Sequence, residues 1–226
     1  MGIFLHKAVG KNGKLGIWQI TESLDELLKM IPMSAGTEKD LSVLDSNSNE
    51  RRKKEWLVAR ILAEQLTDEK DSRIIYDEHK KPFLSRRDGN PENSKKHISL
   101  SHSHNLLAVI IDEQETGIDI EVIKPKVVRI KEKFMSEEEL GSLQKEKQEE
   151  QLTTYWCAKE SLYKLYGRNE LVFNKHLIIE PFQYSEKGVI RGWIKNSAKE
   201  KLFTLQYQKI ISGNDNYMLT HIINQD

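Results

Sequence analysis

Apolar and polar positions alternate along this chain with two different periods, and the period changes several times. Ile3 to Val9 and Leu15 to Ile20 show the two-residue alternation of strands around a Gly/Asn-rich turn, Gly10 to Gly13. Thr21 or Ser23 can cap a helix that runs to about Met30. Leu41 to Asn49 is polar and reads as a loop. Glu50 to Leu66 changes to the helical period, with Trp56, Leu57, Arg60, Ile61 and Leu62 along one side. Arg73 to Tyr76 is a short strand, and Asp88-Gly89-Asn90-Pro91 is a turn. Three strand patterns follow: His97 to Ser101, Leu106 to Ile111 and Gly117 to Val122. Ser136 with Glu139 forms a capping box that starts a helix. The charged stretch Lys145 to Glu150 separates it from a long helix ending near Gly167. Strand patterns then return at Leu177 to Tyr184, Val189 to Ile194, Leu202 to Ile211 and Tyr217 to Ile223. The pattern therefore predicts two halves of mixed strands and helices, residues 1–114 and 115–226.

Composition narrows the function classes. The 226 residues suffice for one large domain or two small ones. With 38% hydrophobic and 31% charged residues, a soluble globular protein is expected. The formal net charge of zero argues against a broad field for nucleic acid. A single cysteine, Cys157, excludes an internal disulfide framework and suits a reducing cytoplasm. Met1 to Lys7 lacks the apolar region of a signal peptide, and His6 stands where a myristoylation motif wants Ser or Thr. No apolar run is long enough to span a bilayer. A cytoplasmic protein without membrane or nucleic-acid partners is expected.

Candidate chemistry lies in two places. Gly117-Ile118-Asp119-Ile120-Glu121 puts two carboxylates on one face of a strand. An isolated pair of this kind is ordinarily a solvated acidic face. Trp156, Glu160 and Lys164 recur at spacing four and share one face of the long helix. Glu160 and Lys164 alone would be an ordinary surface pair, but this helix also carries Tyr155, Leu162, Tyr163, Leu165 and Tyr166, and charges on a buried helix are costly unless used. Three acids and a lysine on two rigid elements suit a hard divalent cation and a phosphate. Ile98-Ser99-Leu100-Ser101-His102-Ser103-His104 leads a strand into a turn rich in hydroxyl and imidazole donors for phosphate oxygens. A zinc pair from His102 and His104 lacks a third ligand at recognisable spacing. The basic start Arg51-Arg52-Lys53-Lys54, with Arg60 and Lys80-Lys81-Pro82, is mostly a solvated face. Arg60 and Lys81 stand out, one on an apolar helix side and the other before a proline.

In order, Lys81-Pro82, Ser101-His102-Ser103, Gly117 to Glu121, Phe134 to Glu139 and Trp156-Cys157-Ala158-Lys159-Glu160-Ser161-Leu162-Tyr163-Lys164 resemble the 4′-phosphopantetheinyl transferase superfamily, single-chain Sfp type. The resemblance implies an α/β (α+β) fold of two similar halves with pseudo-two-fold symmetry. Each half would be a small antiparallel sheet packed with helices, with coenzyme A in the cleft between them. It implies transfer of the phosphopantetheine arm to a serine of an apo acyl or peptidyl carrier protein, releasing 3′,5′-ADP. Residues 1–114 would supply nucleotide and phosphate contacts. Residues 115–226 would supply the metal site and the carrier-facing helices. Asp119, Glu121 and Glu160 would hold Mg²⁺, with Mn²⁺ as an alternative, and Lys164 would contact the transferred phosphate. Ser101, His102, Lys81 and Lys159 would hold coenzyme A, and Glu139 would help to deprotonate the carrier serine. Arg60 is the first candidate for the 3′-phosphate, with Arg51 to Lys54 as alternatives. Lys80 stands where the family often has glycine. A monomer is expected. A metal-dependent phosphodiesterase or nuclease is the alternative enzyme, although Lys124 falls on the wrong strand face for it. A non-catalytic coenzyme-A-binding module is the alternative without chemistry.

Overall fold

The N-terminal alternation closes as a hairpin, β1 (Ile3–Val9) against β2 (Gly13–Gln19). The computed structural model describes residues 2–31, 44, 49–67, 72–85, 96–196 and 200–224. The chain divides into two compact units, Met1–Glu115 and Thr116–Asp226.

In the first unit, β2 pairs with β6 (Leu106–Asp112), β6 with β5 (His97–Ser103), and β5 with β4 (Pro82–Ser85), which pairs with β3 (Arg73–Tyr76). Every pairing is antiparallel, in the order β1-β2-β6-β5-β4-β3. Two helices accompany this sheet, α1 (Leu24–Met30) and α2 (Glu50–Leu66). Ser23 starts α1 with a capping box to Glu26, and the Asn49 side chain accepts from Arg52 N to start α2. α2 buries Leu57, Val58, Ile61, Leu62 and Leu66 with Trp18, Leu107, Val109 and Ile111 of the sheet. β4 was not among the expected strands. Of the segment expected as a loop, 41–49, only Leu44 and Asn49 lie among the described residues, and the turn expected at 88–91 lies outside them.

The second unit holds a five-stranded antiparallel sheet, β7 (Ile118–Val122), β11 (Asp215–Ile223), β10 (Glu200–Ser212), β9 (Lys187–Lys195) and β8 (Leu177–Ile179), in that order. Its helices are α3 (Lys126–Phe134), α4 (Glu137–Gly141), α5 (Gln148–Tyr166) and the short α6 (Phe173–His176). α3 was not expected, although Val127, Ile130 and Phe134 carry the helical spacing. β8 stops at Ile179 rather than Tyr184, because Pro181 has no N–H to continue the ladder. α5 ends where Gly167 turns left-handed at φ 74° and returns its N–H to Tyr163 O. Around α5 pack Leu152, Tyr155, Ala158 and Leu162 from the helix and Leu205, Tyr207, Met218 and Ile222 from the sheet. Two antiparallel sheets, each packed with helices, give the mixed α/β fold that the sequence led us to expect.

Candidate active site

In the second unit the acidic strand and the long helix meet with little space between them. A Cβ on Gly117 would collide with the Ser161 carbonyl oxygen of α5, so only glycine allows this approach. The contact is locked nearby, where Ser161 Oγ and Thr220 Oγ1 lie 2.6 Å apart and Thr220 is the β11 partner of Asp119. This places β7 against the α5 face that carries Glu160 and Lys164.

Asp119 is 2% exposed, and its Oδ1 accepts from Lys164 Nζ at 2.7 Å. Lys164 Nζ also donates to Ile118 O at 3.1 Å. Glu160 is half-buried, and its pKa is pushed up to about 7, first by burial and then by the Asp119 charge, with Lys164 opposing and Glu121 adding to the repulsion. Burial also pushes the buried Cys157 thiol well above its ordinary value, and Asp119 and Glu121 add to this. Asp119, Glu121, Glu160 and Lys164 therefore form one electrostatic cluster. Among the described residues no three His, Cys, Asp or Glu side chains are drawn together tightly enough to hold a metal ion. The donor chemistry nonetheless fits a hard divalent cation, because all the donors are carboxylate oxygens and they repel one another. Beside Glu121 opens a groove of about 250 Å³ walled by Val122, Lys126, Val127, Ile130 and Trp156.

Glu139 and Lys159 are also brought together, but away from solvent. Glu139 is 1% exposed and Lys159 is fully buried. Lys159 Nζ donates to Phe134 O, Glu139 Oε2 and Phe173 O at 2.6, 2.7 and 3.1 Å. Glu139 accepts from Ser136 N on Oε2 and from Ile179 N on Oε1. All three ammonium protons and both carboxylate oxygens are thus engaged inside the unit. In this arrangement the pair ties α4, α5, α6 and β8 together.

The phosphate candidates lie in the first unit. Ser101 is buried on β5. His102 is on the strand's other face, with Nδ1 3.2 Å from Glu55 Oε1 on α2. The same oxygen accepts from Arg51 Nε at 2.8 Å. Arg60 is stacked 3.4 Å over the Trp56 ring and donates to Trp56 O. Of the basic candidates, Arg51 is the one brought to His102. Lys81 N donates to Asp77 Oδ1 at 2.8 Å, and its Nζ lies 3.6 Å from Glu115. Lys80 has φ 64°, the left-handed conformation that explains a glycine preference at this position. Glu55 was not anticipated. Its i,i+4 spacing to Arg51 was visible, but its pairing with a strand residue far along the chain was not.

A family model described as the 4′-phosphopantetheinyl transferase superfamily matches residues 115–219. The chain is similar to a 4′-phosphopantetheinyl transferase AcpT of Salmonella typhimurium, 30% identical over 145 residues, which cover 62% of this chain and 71% of that protein. It is 31% identical over 116 residues to the 4′-phosphopantetheinyl transferase Sfp of Bacillus subtilis, covering 50% of this chain and 49% of Sfp. It is 40% identical over 75 residues to the 4′-phosphopantetheinyl transferase psf-1 of Bacillus pumilus, 32% of each chain. The chain thus spans about half the length of Sfp and less of psf-1.

Proposed function

The chain belongs to the 4′-phosphopantetheinyl transferase superfamily, and from that premise we propose that it moves the 4′-phosphopantetheine arm of coenzyme A to a serine of an apo carrier protein. In this reaction the serine oxygen attacks the phosphorus that bears the pantetheine arm. The phosphorus–oxygen bond to 3′,5′-ADP breaks, ADP leaves with the electron pair, and the serine proton passes to solvent. The observation that carries the reading is the cluster of Asp119, Glu121 and Glu160 beside Lys164 at the β7–α5 contact.

Asp119, Glu121 and Glu160 would hold Mg²⁺, with Mn²⁺ as an alternative. Such a cation supplies charge neutralisation at the pyrophosphate of the leaving group. Lys164 brings a positive charge beside these acids, where it can stabilise charge on the transferring phosphoryl group. Ser101, His102, Lys81 and Arg51 would hold coenzyme A phosphates. Arg51 is preferred over Arg60 because it shares Glu55 with His102. The groove beside Glu121, with Val127, Ile130 and Trp156 on its walls, suits the apolar face of a carrier helix. We place the reaction in the cytoplasm and expect a monomer. The single cysteine, Cys157, is free and buried, and among the described residues no helix is long and apolar enough to cross a membrane.

The test is intact-mass spectrometry of an apo acyl carrier protein, and of a peptidyl carrier domain, incubated with this protein, coenzyme A and Mg²⁺. A mass gain of one phosphopantetheine arm that EDTA abolishes is the expected result. A folded protein that modifies neither carrier would overturn the reading.

A further inference from the structure

Glu55 takes no part in the roles assigned above, yet two of the proposed phosphate contacts meet on it. Its side chain is 10% exposed, against 54% for His102 and 58% for Arg51. A carboxylate so far out of water is costly unless it has partners. Burial alone would raise its pKa, but the hydrogen bond and charge of His102, followed by those of Arg51, bring it below the ordinary carboxylate range. Glu55 is therefore an ionised acceptor. Its neighbour His102 Nδ1, at 3.2 Å, must be the donor, since a carboxylate can only accept.

That contact fixes the ring. With Nδ1–H directed at Glu55, the opposite edge carrying Nε2 faces away from α2, on a side chain that is more than half exposed. Without the carboxylate the ring could turn over about χ2, and the carbon edge would face outward about as readily as the nitrogen edge. Arg51 is fixed by the same oxygen, with Nε at 2.8 Å and the two terminal guanidinium nitrogens beyond it. Both donors thus meet on one buried carboxylate, with their remaining nitrogens on its far side. We infer that Glu55 is a positioning residue that holds Arg51, and with it the His102 ring, so that the terminal guanidinium N–H groups and the Nε2 edge are turned toward an anionic group of the co-substrate. The inference rests on the coenzyme A reading above for the identity of that anion.

The experiment is a double-mutant cycle on coenzyme A affinity, measured by calorimetry with the full chain. Glu55→Gln is nearly isosteric, and thermal melts confirm that it folds. It should weaken binding about tenfold, equal to about 1.4 kcal/mol. In an Arg51→Ala/His102→Ala background the same change should have less than about a twofold effect, because both groups being positioned are gone. Glu55→Asp keeps the charge one methylene further back and should fall between. Ring ¹⁵N shifts of His102 should show the Nδ1–H state in the unsubstituted protein and lose it in Glu55→Gln. Equal effects of Glu55→Gln in both backgrounds, or unchanged ring shifts, would overturn the inference while leaving the coenzyme A reading intact. Failure of the unsubstituted protein to bind coenzyme A would overturn that reading, and the anion assignment with it.

Discussion

Lys159 and Lys164 stand five residues apart on α5, and each holds a carboxylate oxygen at 2.7 Å. Lys159 is fully buried and spends all three protons on Glu139 and two carbonyls. Lys164 is 27% exposed and shares Asp119 with a cluster of carboxylates that repel one another. Equal distances therefore do not mean equal roles. A charge pair whose hydrogen-bonding capacity is filled inside a core holds the fold. A pair that faces unrelieved like charge can exchange its partner for a cation or a phosphate. Burial bears on both pairs, since removing either lysine strands a carboxylate that is 1% exposed in Glu139 and 2% exposed in Asp119.

The largest expected effect is on the buried side. Lys159→Met should cost about 3–5 kcal/mol of stability in urea denaturation, because Glu139 is left charged in the core. The double variant Lys159→Met/Glu139→Gln should recover part of that loss. A Lys159→Met protein of unchanged stability would erase the distinction between the two lysines. Lys164→Met should lower transfer kcat/KM by roughly 10²–10³, and its melting temperature should also fall, because Asp119 is left charged at 2% exposure. Unimpaired transfer would remove Lys164 from the site.

A smaller effect separates the acids by pH. The Glu160 carboxyl has a pKa of about 7 in the fold, above its ordinary value of 4.5. Between those values the folded state therefore binds more protons than the unfolded state. In metal-free protein stability should fall as pH rises from about 4.5 to about 7, by on the order of 1–3 kcal/mol. Glu160→Gln should flatten that slope and raise metal-free stability at pH 8, while abolishing transfer. A slope that survives the substitution would assign it to another group. The smallest effect belongs to a third pair of similar length, Arg191 Nε to Glu180 Oε2 at 2.8 Å, whose arginine side chain is 62% exposed. Arg191→Ala should change stability by less than about 1 kcal/mol, since exposed pairs are screened and contribute little.

Much of this contrast was legible in the chain. Asp119 and Glu121 at i and i+2, and Glu160 and Lys164 at i and i+4, follow from strand and helix periods alone. The Ser136–Glu139 capping box was likewise visible, and both of its hydrogen bonds form. The second use of Glu139, as the partner of Lys159, was not visible, because a cap places a side chain at a helix end without saying what lies beyond it. Arg60 stood out for its place on the apolar side of its helix, but its stacking on Trp56 was not visible. Glu55 met His102 only once α2 had packed on the sheet.

What the sequence determined by itself is therefore periodic and local: most of the strands and helices, the caps, the glycine before Ile118, and the rows of acids and lysine. These depend on a few neighbouring residues and the fixed repeat of a strand or helix. The tertiary structure decided which charges could be spared from packing. Lys159 and Lys164 differ by five residues, about 140° around a helix, so α5 cannot present both to the same surroundings. Only the placement of Phe134, Phe173 and Glu139 around the first, and of Asp119 beside the second, separates a core cation from one available for chemistry.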